Sequence, residues 1–491
     1  MSRSEGLGVT NLRLKYPGED VPLLFQGISL SVEPGEKVLL LGPSGCGKST
    51  LLQVLSGIVP DIVEIPLKAD ELRTPSRPGY VFQDPDTQFC MPYVDEEIAF
   101  VLENLQVPRE KMPALIDLYL GMAGLRFTDT HTPIGQLSQG MKQRLAIASV
   151  LALEPDVLFL DEPTALLDEE GTEQVWDTIR TVCADKTLVI VEHKISGILD
   201  FIDRLIVIGP EGQLLADGRP QDIFSAYKQQ LMDYGIWYPG VWDEYERGQK
   251  QAVNDYTELT PVMTLRDFSG MRGGQIRISV DNLSAHPGDW IAVTGANGAG
   301  KSSLLLAIMR LISTKGTCRI EGVKGTKVEQ LAERVAFVFQ NPEFQFVTHS
   351  VEDEIAYSLP EGAGQEAVEA LLRQYDLHEL RSRHPFQLSM GQKRRLSVAS
   401  ALVRGPRILL LDEPTFGLDA RNTFRMLGQL EQLRASGTAI VMVTHDSEIV
   451  SRFATRVWRV EAGEVKEAVK RPLPTPTQAT PFAEGEALLC N

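Results

Sequence analysis

The sequence lacks the long apolar segments, paired cysteines and excess of basic residues that mark several large classes of protein. No apolar run approaches the ~20 residues that a membrane-spanning helix needs, and residues 1–10 hold no hydrophobic core of a signal peptide. Its five cysteines are scattered, without a CxxC pair that would suggest a metal or redox site. With 48 Lys and Arg against 66 Asp and Glu, the net charge of −18 argues against a nucleic-acid partner. These absences predict a reduced, cytosolic protein.

What is present is a set of five motifs that occurs twice in the same order. Each copy has a GxxxxGK[ST] loop, a glutamine, a Leu-Ser-x-Gly segment, an Asp-Glu pair and a histidine. The loop lysines, Lys48 and Lys301, lie 253 residues apart, and the aspartates of the pairs, Asp161 and Asp412, lie 251 apart. Chance does not preserve such an offset. The 491 residues are therefore predicted to form two similar modules of somewhat over 200 residues each.

Short apolar runs precede the glycine-rich loops, the Asp-Glu pairs and the histidines, and helical patterns separate them. Continuous apolar strands of this kind indicate a mostly parallel sheet covered on both faces. Helical patterns also follow each motif glutamine, for example over 95–105 and 365–377, and predict a small helical subdomain inserted into each α/β domain. The predicted order is a first domain at 1–225, an aromatic and acidic linker at 226–262, a second domain at 263–470 and a Pro-rich tail at 471–491, which we expect to be disordered.

The linker is unusually aromatic for a connecting segment. Its aromatic residues are Tyr227, Tyr234, Trp237, Tyr238, Trp242, Tyr245 and Tyr256. Side chains of this size predict that the linker packs on a surface. Packing on the chain's own modules is favoured over docking to a partner, although both interpretations remain open.

The glycine-rich loops predict two phosphate-binding sites. Backbone N–H groups at a helix N-terminus wrap phosphates, the lysine reaches the β- and γ-phosphates, and the hydroxyl of the following serine binds Mg²⁺. The first loop comprises Gly42, Pro43, Ser44, Gly45, Cys46, Gly47, Lys48, Ser49 and Thr50. The second comprises Gly295, Ala296, Asn297, Gly298, Ala299, Gly300, Lys301, Ser302 and Ser303. Each follows an apolar strand and opens an amphipathic helix, which is the context that this motif requires.

The Asp-Glu pairs, the histidines and the glutamines predict the groups that act on the phosphate. We expect the aspartates to hold Mg²⁺, the glutamates to position or deprotonate the attacking water, and the histidines to contact the γ-phosphate or that water. The glutamines are candidates for a Mg²⁺ or water contact. In the first copy these residues are Asp161, Glu162, His193 and Gln83, and in the second they are Asp412, Glu413, His445 and Gln340.

Each Leu-Ser-x-Gly segment is followed by a basic helical stretch and predicts a further anion site at a helix N-terminus. The residues concerned are Ser138 and Gly140 in the first copy and Ser389 and Gly391 in the second. They belong to the helical subdomain, away from the glycine-rich loop. One module cannot easily bring its glycine-rich loop and its own Leu-Ser-x-Gly segment to the same nucleotide. Two modules that face each other head to tail can combine the loop of one with the segment of the other.

Together these motifs resemble those of ATP-binding cassette (ABC) ATPases, over almost the whole chain except the linker and tail. The resemblance implies two P-loop domains that form a pseudo-dimer, with ATP and Mg²⁺ held between the glycine-rich loop of one module and the signature of the other. Site one would join the first loop, Gln83, Asp161, Glu162 and His193 to Ser389 and Gly391. Site two would join the second loop, Gln340, Asp412, Glu413 and His445 to Ser138 and Gly140. Tyr16 would stack on adenine, and Phe268 is a second candidate for that role.

The stretches 83–89 and 340–346, with 95–100 and 352–357, look like those of energy-coupling factor (ECF) importer ATPases. That likeness implies an ATPase at the cytoplasmic face of the membrane that drives uptake of a vitamin, a vitamin precursor or a transition-metal ion. Its partners would be a membrane T component and a substrate-binding membrane subunit. The alternatives are a soluble, translation-linked F-class ABC protein, which would need a long basic arm, and a fused sugar-importer ATPase, which usually has one degenerate site.

The first copy departs from the family pattern at three places. Met141 stands where the signature usually has Gln, and Ala165-Leu166-Leu167-Asp168 differs from the commoner Ser-x-Leu-Asp. These two departures leave open whether the two sites hydrolyse ATP at equal rates. Cys46 lies inside the first loop, at a helix N-terminus, a position that lowers the pKa of a thiol. We therefore expect alkylation of Cys46 to block site one selectively.

Overall fold

The computed structural model describes residues 6–18, 22–165, 167–195, 197–248, 260–323, 327–359 and 365–468. The Pro-rich tail lies outside the described residues, so its predicted disorder stays a prediction. Two compact units are found, and their limits do not follow the sequence repeat. One takes the described residues of Met1–Val253, Val338–Arg404 and Glu413–Gln432, and the other takes those of Asn254–Phe337, Gly405–Asp412 and Leu433–Asn491. The domain boundaries predicted from the repeat therefore remain predictions.

The first copy contains two sheets. Its strands are β1 (Leu7–Lys15), β2 (Leu23–Val32), β3 (Lys37–Leu41), β4 (Leu67–Lys68), β5 (Glu71–Arg73), β6 (Pro78–Val81), β7 (Val157–Asp161), β8 (Thr187–Val191), β9 (Arg204–Ile208) and β10 (Leu214–Gly218). The antiparallel sheet has the order β2-β1-β4, with β5 also paired to β1. The second sheet has the order β10-β9-β3-β8-β7-β6 and is parallel except for β10. Strands β7 and β8 are buried along their whole length, as their continuous apolar sequences predict.

Helices of the first copy cover this parallel sheet or form the inserted subdomain. They are α1 (Lys48–Ser56), α2 (Ile58–Asp61), α3 (Val94–Asn104), α4 (Met112–Met122), α5 (Gln139–Leu151), α6 (Glu169–Val182) and α7 (Pro220–Ala226). Helix α3 coincides with the helical pattern over 95–105 and buries Val94, Ile98 and Leu102, which are spaced four residues apart on one face. The insertion of helices between the motif glutamine and the signature is thus confirmed.

The beginning of the linker folds into α8 (Lys228–Asp233) and α9 (Val241–Gly248). Its aromatic rings surround Phe424: Tyr245 stacks on that ring at 4.4 Å, Trp242 meets it edge-on at 4.9 Å and Trp237 lies 5.6 Å away. The Gly235 carbonyl also accepts a hydrogen bond from Ala420 N at 2.9 Å. The described part of the linker therefore packs on the chain itself, as expected.

The second copy has a similar order of strands, but its strands are joined into a single sheet. Its strands are β11 (Met263–Arg272), β12 (Gln275–Ala285), β13 (Trp290–Thr294), β14 (Ser313–Ile320), β15 (Val335–Val338), β16 (Ile408–Asp412), β17 (Ala439–Val443), β18 (Arg456–Glu461) and β19 (Glu464–Ala468). They form one sheet in the order β14-β11-β12-β19-β18-β13-β17-β16-β15. The antiparallel part joins the parallel part because β12 pairs with β19 over Ser279–Val280.

The helices of the second copy are α10 (Lys301–Ile308), α11 (Val328–Leu331), α12 (Val351–Tyr357), α13 (Gln365–Gln374), α14 (Met390–Leu402), α15 (Ala420–Ala435) and α16 (Ser447–Phe453). Helix α13 occupies most of the stretch 365–377 in which a helix was predicted. No helix within the described residues is long and apolar enough to cross a membrane.

Candidate nucleotide-binding and hydrolysis sites

Both glycine-rich loops join the end of a buried strand to the start of a helix. In the first loop, Gly45 and Gly47 have φ of 84° and 97°, a left-handed conformation that side chains with Cβ rarely adopt. Lys48 is buried at the first position of α1 and donates to the carbonyls of Gly42 and Pro43 at 2.9 and 3.1 Å. The loop therefore curves around the ammonium group, and its backbone N–H groups open the helix, which is the geometry for binding phosphates.

The second loop has the same local geometry. Gly298 and Gly300 have φ of 78° and 113°. Lys301 begins α10 and donates to the carbonyls of Gly295 and Ala296 at 2.7 and 3.0 Å. Because the two loops share these contacts although their intervening residues differ, the conformation follows from the glycine and lysine positions.

Asp161 ends strand β7 beside the first loop. Ser49 Oγ donates to its Oδ1 at 2.8 Å, and Tyr80 OH donates to its Oδ2 at 3.0 Å. Burial raises the pKa of Asp161, and these two hydrogen bonds partly offset that rise. A serine hydroxyl and a carboxylate beside a phosphate site match what Mg²⁺ prefers, since Mg²⁺ commonly takes one or two carboxylates and completes its shell with phosphate and water. The described residues contain no cluster of three or more His, Cys, Asp or Glu that could hold a metal alone.

Glu162 contacts two of the other predicted residues of the first copy. Gln83 Nε2 donates to its Oε2 at 2.9 Å, and His193 Nε2 lies 3.1 Å from its Oε1. Burial alone would raise the pKa of Glu162, but the hydrogen bond and charge of His193, together with Lys48, lower it below its ordinary value. The structure thus brings Gln83, Glu162 and His193 together. The predicted Mg²⁺ contact of Gln83 stays a prediction.

The two glutamates share an uncommon backbone conformation. Glu162 has φ of 48° and Glu413 has φ of 47°, and both follow the last residue of a fully buried strand. A non-glycine residue in the left-handed region is uncommon and, when it recurs at corresponding positions, indicates a functional constraint. Within the second copy, Gln340 follows β15, Asp412 ends β16 and His445 follows β17, the same element ends as in the first copy.

The two signature serines begin helices. Ser138 Oγ accepts a hydrogen bond from Met141 N and caps α5, and Ser389 Oγ accepts from Gln392 N and caps α14. In addition, Ser389 N donates to Gln392 Oε1 at 2.9 Å, which completes a capping box. Met141 has no oxygen with which to do this. The departure noted at Met141 therefore removes one hydrogen bond from the first signature.

The adenine candidates differ in exposure. The Tyr16 ring is 40% exposed, and its hydroxyl lies 2.7 Å from Thr50 Oγ1 of the loop. Phe268 is only 2% exposed because its side chain packs inward from β11. The suggestion that Phe268 could stack on adenine does not suit this placement. Spacing along a strand did not reveal which face of the strand the ring occupies.

The expected lowering of the pKa of the Cys46 thiol is wrong, because the pKa is raised. Cys46 is buried beneath the first loop, and this burial raises the pKa of the thiol despite the nearby charge of Lys48. A raised pKa leaves less of the reactive thiolate at neutral pH. The helix N-terminus therefore lowers the pKa of this thiol by less than burial raises it.

Two residues beside the first site carried no motif and were not predicted. Tyr80 holds Asp161, and Glu192 accepts hydrogen bonds from Thr164 N at 3.2 Å and His193 N at 2.9 Å. Glu192 is fully buried, and that burial raises its pKa. The second copy has Phe337 and Thr444 at the corresponding positions. Comparing the two copies at these buried positions is the signal that could have drawn attention to them.

Comparison with known proteins supports the geometry. The family model for ABC transporters matches residues 25–165 and 278–416, which together are more than half of the chain. The chain belongs to the ABC transporter family. This ABC protein is an ATPase with two ABC domains in one chain, as its motifs predicted.

Its relatives match it over nearly their full length. The "Putative HMP/thiamine import ATP-binding protein YkoD" of Bacillus subtilis is 37% identical over 92% of this ABC protein and 89% of its own length. A "Putative ABC transporter ATP-binding protein" of Methanosarcina mazei is 32% identical over 93% and 87%.

Solved structures show the same fold at lower identity. The archaeal ribosome recycling factor aABCE1, in complex with the ribosomal stalk protein aP1, gives a TM-score of 0.64 at 19% identity, over 92% of this chain and 89% of that one. A structure of RNase-L Inhibitor gives 0.61 at 19% identity, over 92% and 89%. Identities this low support the fold and say nothing of partners.

Proposed function

We propose that this ABC ATPase is the ATP-hydrolysing subunit of an ECF-type membrane importer for a vitamin, a vitamin precursor or a transition-metal ion. Full-length similarity to an import ATPase named for HMP and thiamine supports this proposal. The chain would work at the cytoplasmic face of the membrane, bound to a T component and, through it, to a substrate-binding membrane subunit. Fold likeness to ribosome-associated proteins at 19% identity does not extend to their partners.

The observation that carries the proposal is a group of exposed apolar side chains that follow the second motif glutamine in the sequence. We call it the Q-loop patch; it consists of Phe344, Val347 and Tyr357, which are 75%, 66% and 72% exposed. The three residues lie on the loop after Gln340 and on α12, and Glu354 of α12 holds that loop through a hydrogen bond from Val347 N. Large apolar side chains exposed together mark interaction sites, and aromatic residues are enriched at interfaces. We assign the patch to a cytoplasmic segment of the T component.

The first copy offers a different surface at the same place. Thr87 and Cys90 correspond to Phe344 and Val347, and Phe100 corresponds to Tyr357. Cys90 is exposed and its thiol is free. The two copies would therefore contact different parts of the membrane partner, with the larger apolar contact at the second copy.

In each site we assign the glutamate as the base that receives a proton from the attacking water. Oε1 of Glu162 faces His193 Nε2 and its Oε2 accepts from Gln83, so the two neighbours fix the direction of the carboxylate. Bound Mg²⁺ would neutralise charge that develops on the phosphates, and Ser49 with Asp161 in the first copy, and Ser302 with Asp412 in the second, would hold it. The head-to-tail pairing of each loop with the opposite signature is part of this proposal.

Capture from membranes tests the importer. Tagged protein should co-purify with a hydrophobic membrane subunit, and Phe344→Asp should abolish that recovery while ATP hydrolysis by the purified chain persists. Ile276→Asp, which places a charge at a 62% exposed position on β12, is the control that should retain the subunit. Recovery of ribosomes in place of a membrane subunit would favour the translation-linked alternative.

Single substitutions test the catalytic residues. Glu162→Gln and Glu413→Gln should each reduce ATP turnover, and the double variant should abolish it. Unchanged turnover in both single variants would contradict the assignment. Loss of activity in only one would favour the fused sugar-importer alternative, in which one site is degenerate.

A further inference from the structure

In both copies, polar side chains of the helix that begins at the signature serine reach back to the loop of the motif glutamine. Lys142 of α5 binds both carboxylate oxygens of Asp86 at 2.7 and 2.8 Å. Lys393 of α14 binds one carboxylate oxygen of Glu343, Oε1, at 2.5 Å. Each lysine side chain is largely buried, at 14% and 12% exposure, whereas the partner carboxylates are 50% and 34% exposed, so water still screens these ion pairs in part.

The residue after each lysine differs between the copies. Gln143 makes one hydrogen bond, to the Phe82 carbonyl at 3.3 Å. Arg394 makes two, to the Phe339 carbonyl at 2.7 Å and to the Gln340 carbonyl at 2.6 Å. Both side chains are 1% exposed. The second copy therefore holds the backbone of its motif glutamine with two short, charge-assisted bonds, whereas the first uses one long, neutral bond.

This link has a consequence for the two nucleotide sites. Lys393 and Arg394 lie four and five residues after Ser389. The helix that carries them is capped by Ser389, whose side chain and backbone N–H both bond to Gln392. A rigid helix moves as one body, so Gln340 and Ser389 must move together. Under the proposed pairing, Gln340 serves site two and Ser389 serves site one.

We propose that Arg394 is a positioning residue that couples the two ATP sites by locking Gln340 to the signature helix. Neutral Gln143 makes the equivalent link in the first copy weaker. The link in the second copy is therefore the stronger of the two. This inference rests on the proposed head-to-tail pairing and does not depend on the importer proposal.

The test measures hydrolysis by the purified full chain in two backgrounds. Glu413→Gln leaves turnover to site one, and Glu162→Gln leaves it to site two. Arg394→Gln, which installs the first copy's own residue, should lower kcat about tenfold in both backgrounds, the change expected from losing a charge-assisted hydrogen bond. The KM for ATP should change less than twofold. Arg394→Lys should rescue only part of the rate, because an ammonium on a flexible stem lacks the rigid, planar fork with which the guanidinium holds two carbonyls.

Loss of rate in only one background would mean that Arg394 acts locally and would overturn the coupling, as would an unchanged kcat in both. A second variant keeps the test valid if Arg394→Gln does not fold. Lys393→Glu should lower kcat in both backgrounds, and the exchanged pair Lys393→Glu with Glu343→Lys should restore it. Failure of the exchanged pair to restore either rate would also refute the proposal. No membrane subunit is present, so the result is separate from that of the capture experiment.

Discussion

Replacing Glu354 with glutamine removes a buried negative charge on which the loop of the Q-loop patch depends. Glu354 Oε2 accepts hydrogen bonds from Val347 N at 3.0 Å, Thr348 N at 2.9 Å and Thr348 Oγ1 at 2.8 Å. Glutamine has the same shape but only a neutral acceptor. The loop should therefore stay folded but open more often.

The size of this effect follows from the three bonds. A hydrogen bond to a charged group contributes about 1.5–3 kcal/mol, against about 0.5–1.5 kcal/mol for a neutral one, so each bond loses about 1 kcal/mol. Three bonds give an upper limit of about 3 kcal/mol, since one oxygen serves all of them. At about 1.4 kcal/mol per factor of ten, the loop should open up to about 100-fold more often.

Hydrogen exchange followed by mass spectrometry measures this opening at Val347 and Thr348. Glu97→Gln in the first copy is the matched variant: Glu97 also accepts two backbone bonds, from Cys90 N and Met91 N, but its hydroxyl bond, from Ser149 Oγ, is long at 3.5 Å, so the increase should be smaller. Glu366→Gln changes an exposed glutamate of α13 and should leave exchange unaltered. If Val347 and Thr348 exchange no faster in Glu354→Gln, the carboxylate does not hold the loop.

Three further predictions concern the first copy and the linker. Tyr80→Phe removes a hydrogen bond to the buried Asp161 carboxylate, worth about 1.5–3 kcal/mol, and should lower the melting temperature of the nucleotide-free protein by several degrees; an unchanged value in calorimetry would contradict this. Phe424→Ala deletes the ring at the centre of the linker's aromatic contacts and should destabilise the protein by about 3 kcal/mol, measured by denaturant unfolding, whereas Phe424→Leu should recover most of the loss. An alkylating reagent should modify exposed Cys90 well before buried Cys46, as followed by mass spectrometry of the intact protein; equal rates would show that burial does not control the Cys46 thiol.

Much of the fold could be predicted because its signals are local. Continuous apolar runs predict the buried strands, and glycine positions predict the loops, so the places of Lys48 at the start of a helix and of Asp161 at the end of a strand follow from the chain alone. The motif residues lie near one another because the carboxyl ends of parallel strands meet at one edge of an α/β sheet.

What could not be predicted depends on contacts between distant segments. Tyr80 reaches Asp161 across 81 positions of sequence, and Arg394 reaches Gln340 across 54, and the motif pattern shows neither contact. The pKa of Cys46 was misjudged for the same reason, because it depends on what packs against the side chain. The union of the two sheets in the second copy likewise depends on a pairing between strands almost 200 residues apart.

The left-handed backbone conformation of the two glutamates lowers the stability of the protein, whereas their carboxylates are assigned to ATP hydrolysis. A non-glycine residue in a sparsely populated conformation costs of order 1–3 kcal/mol, and Glu162 and Glu413 both carry that cost. Asparagine tolerates the same conformation more readily, so asparagine at either position would relieve strain while removing the carboxylate. A chain optimised for stability alone would therefore not carry glutamate at these two positions, and its presence at both fits a requirement for the carboxylate.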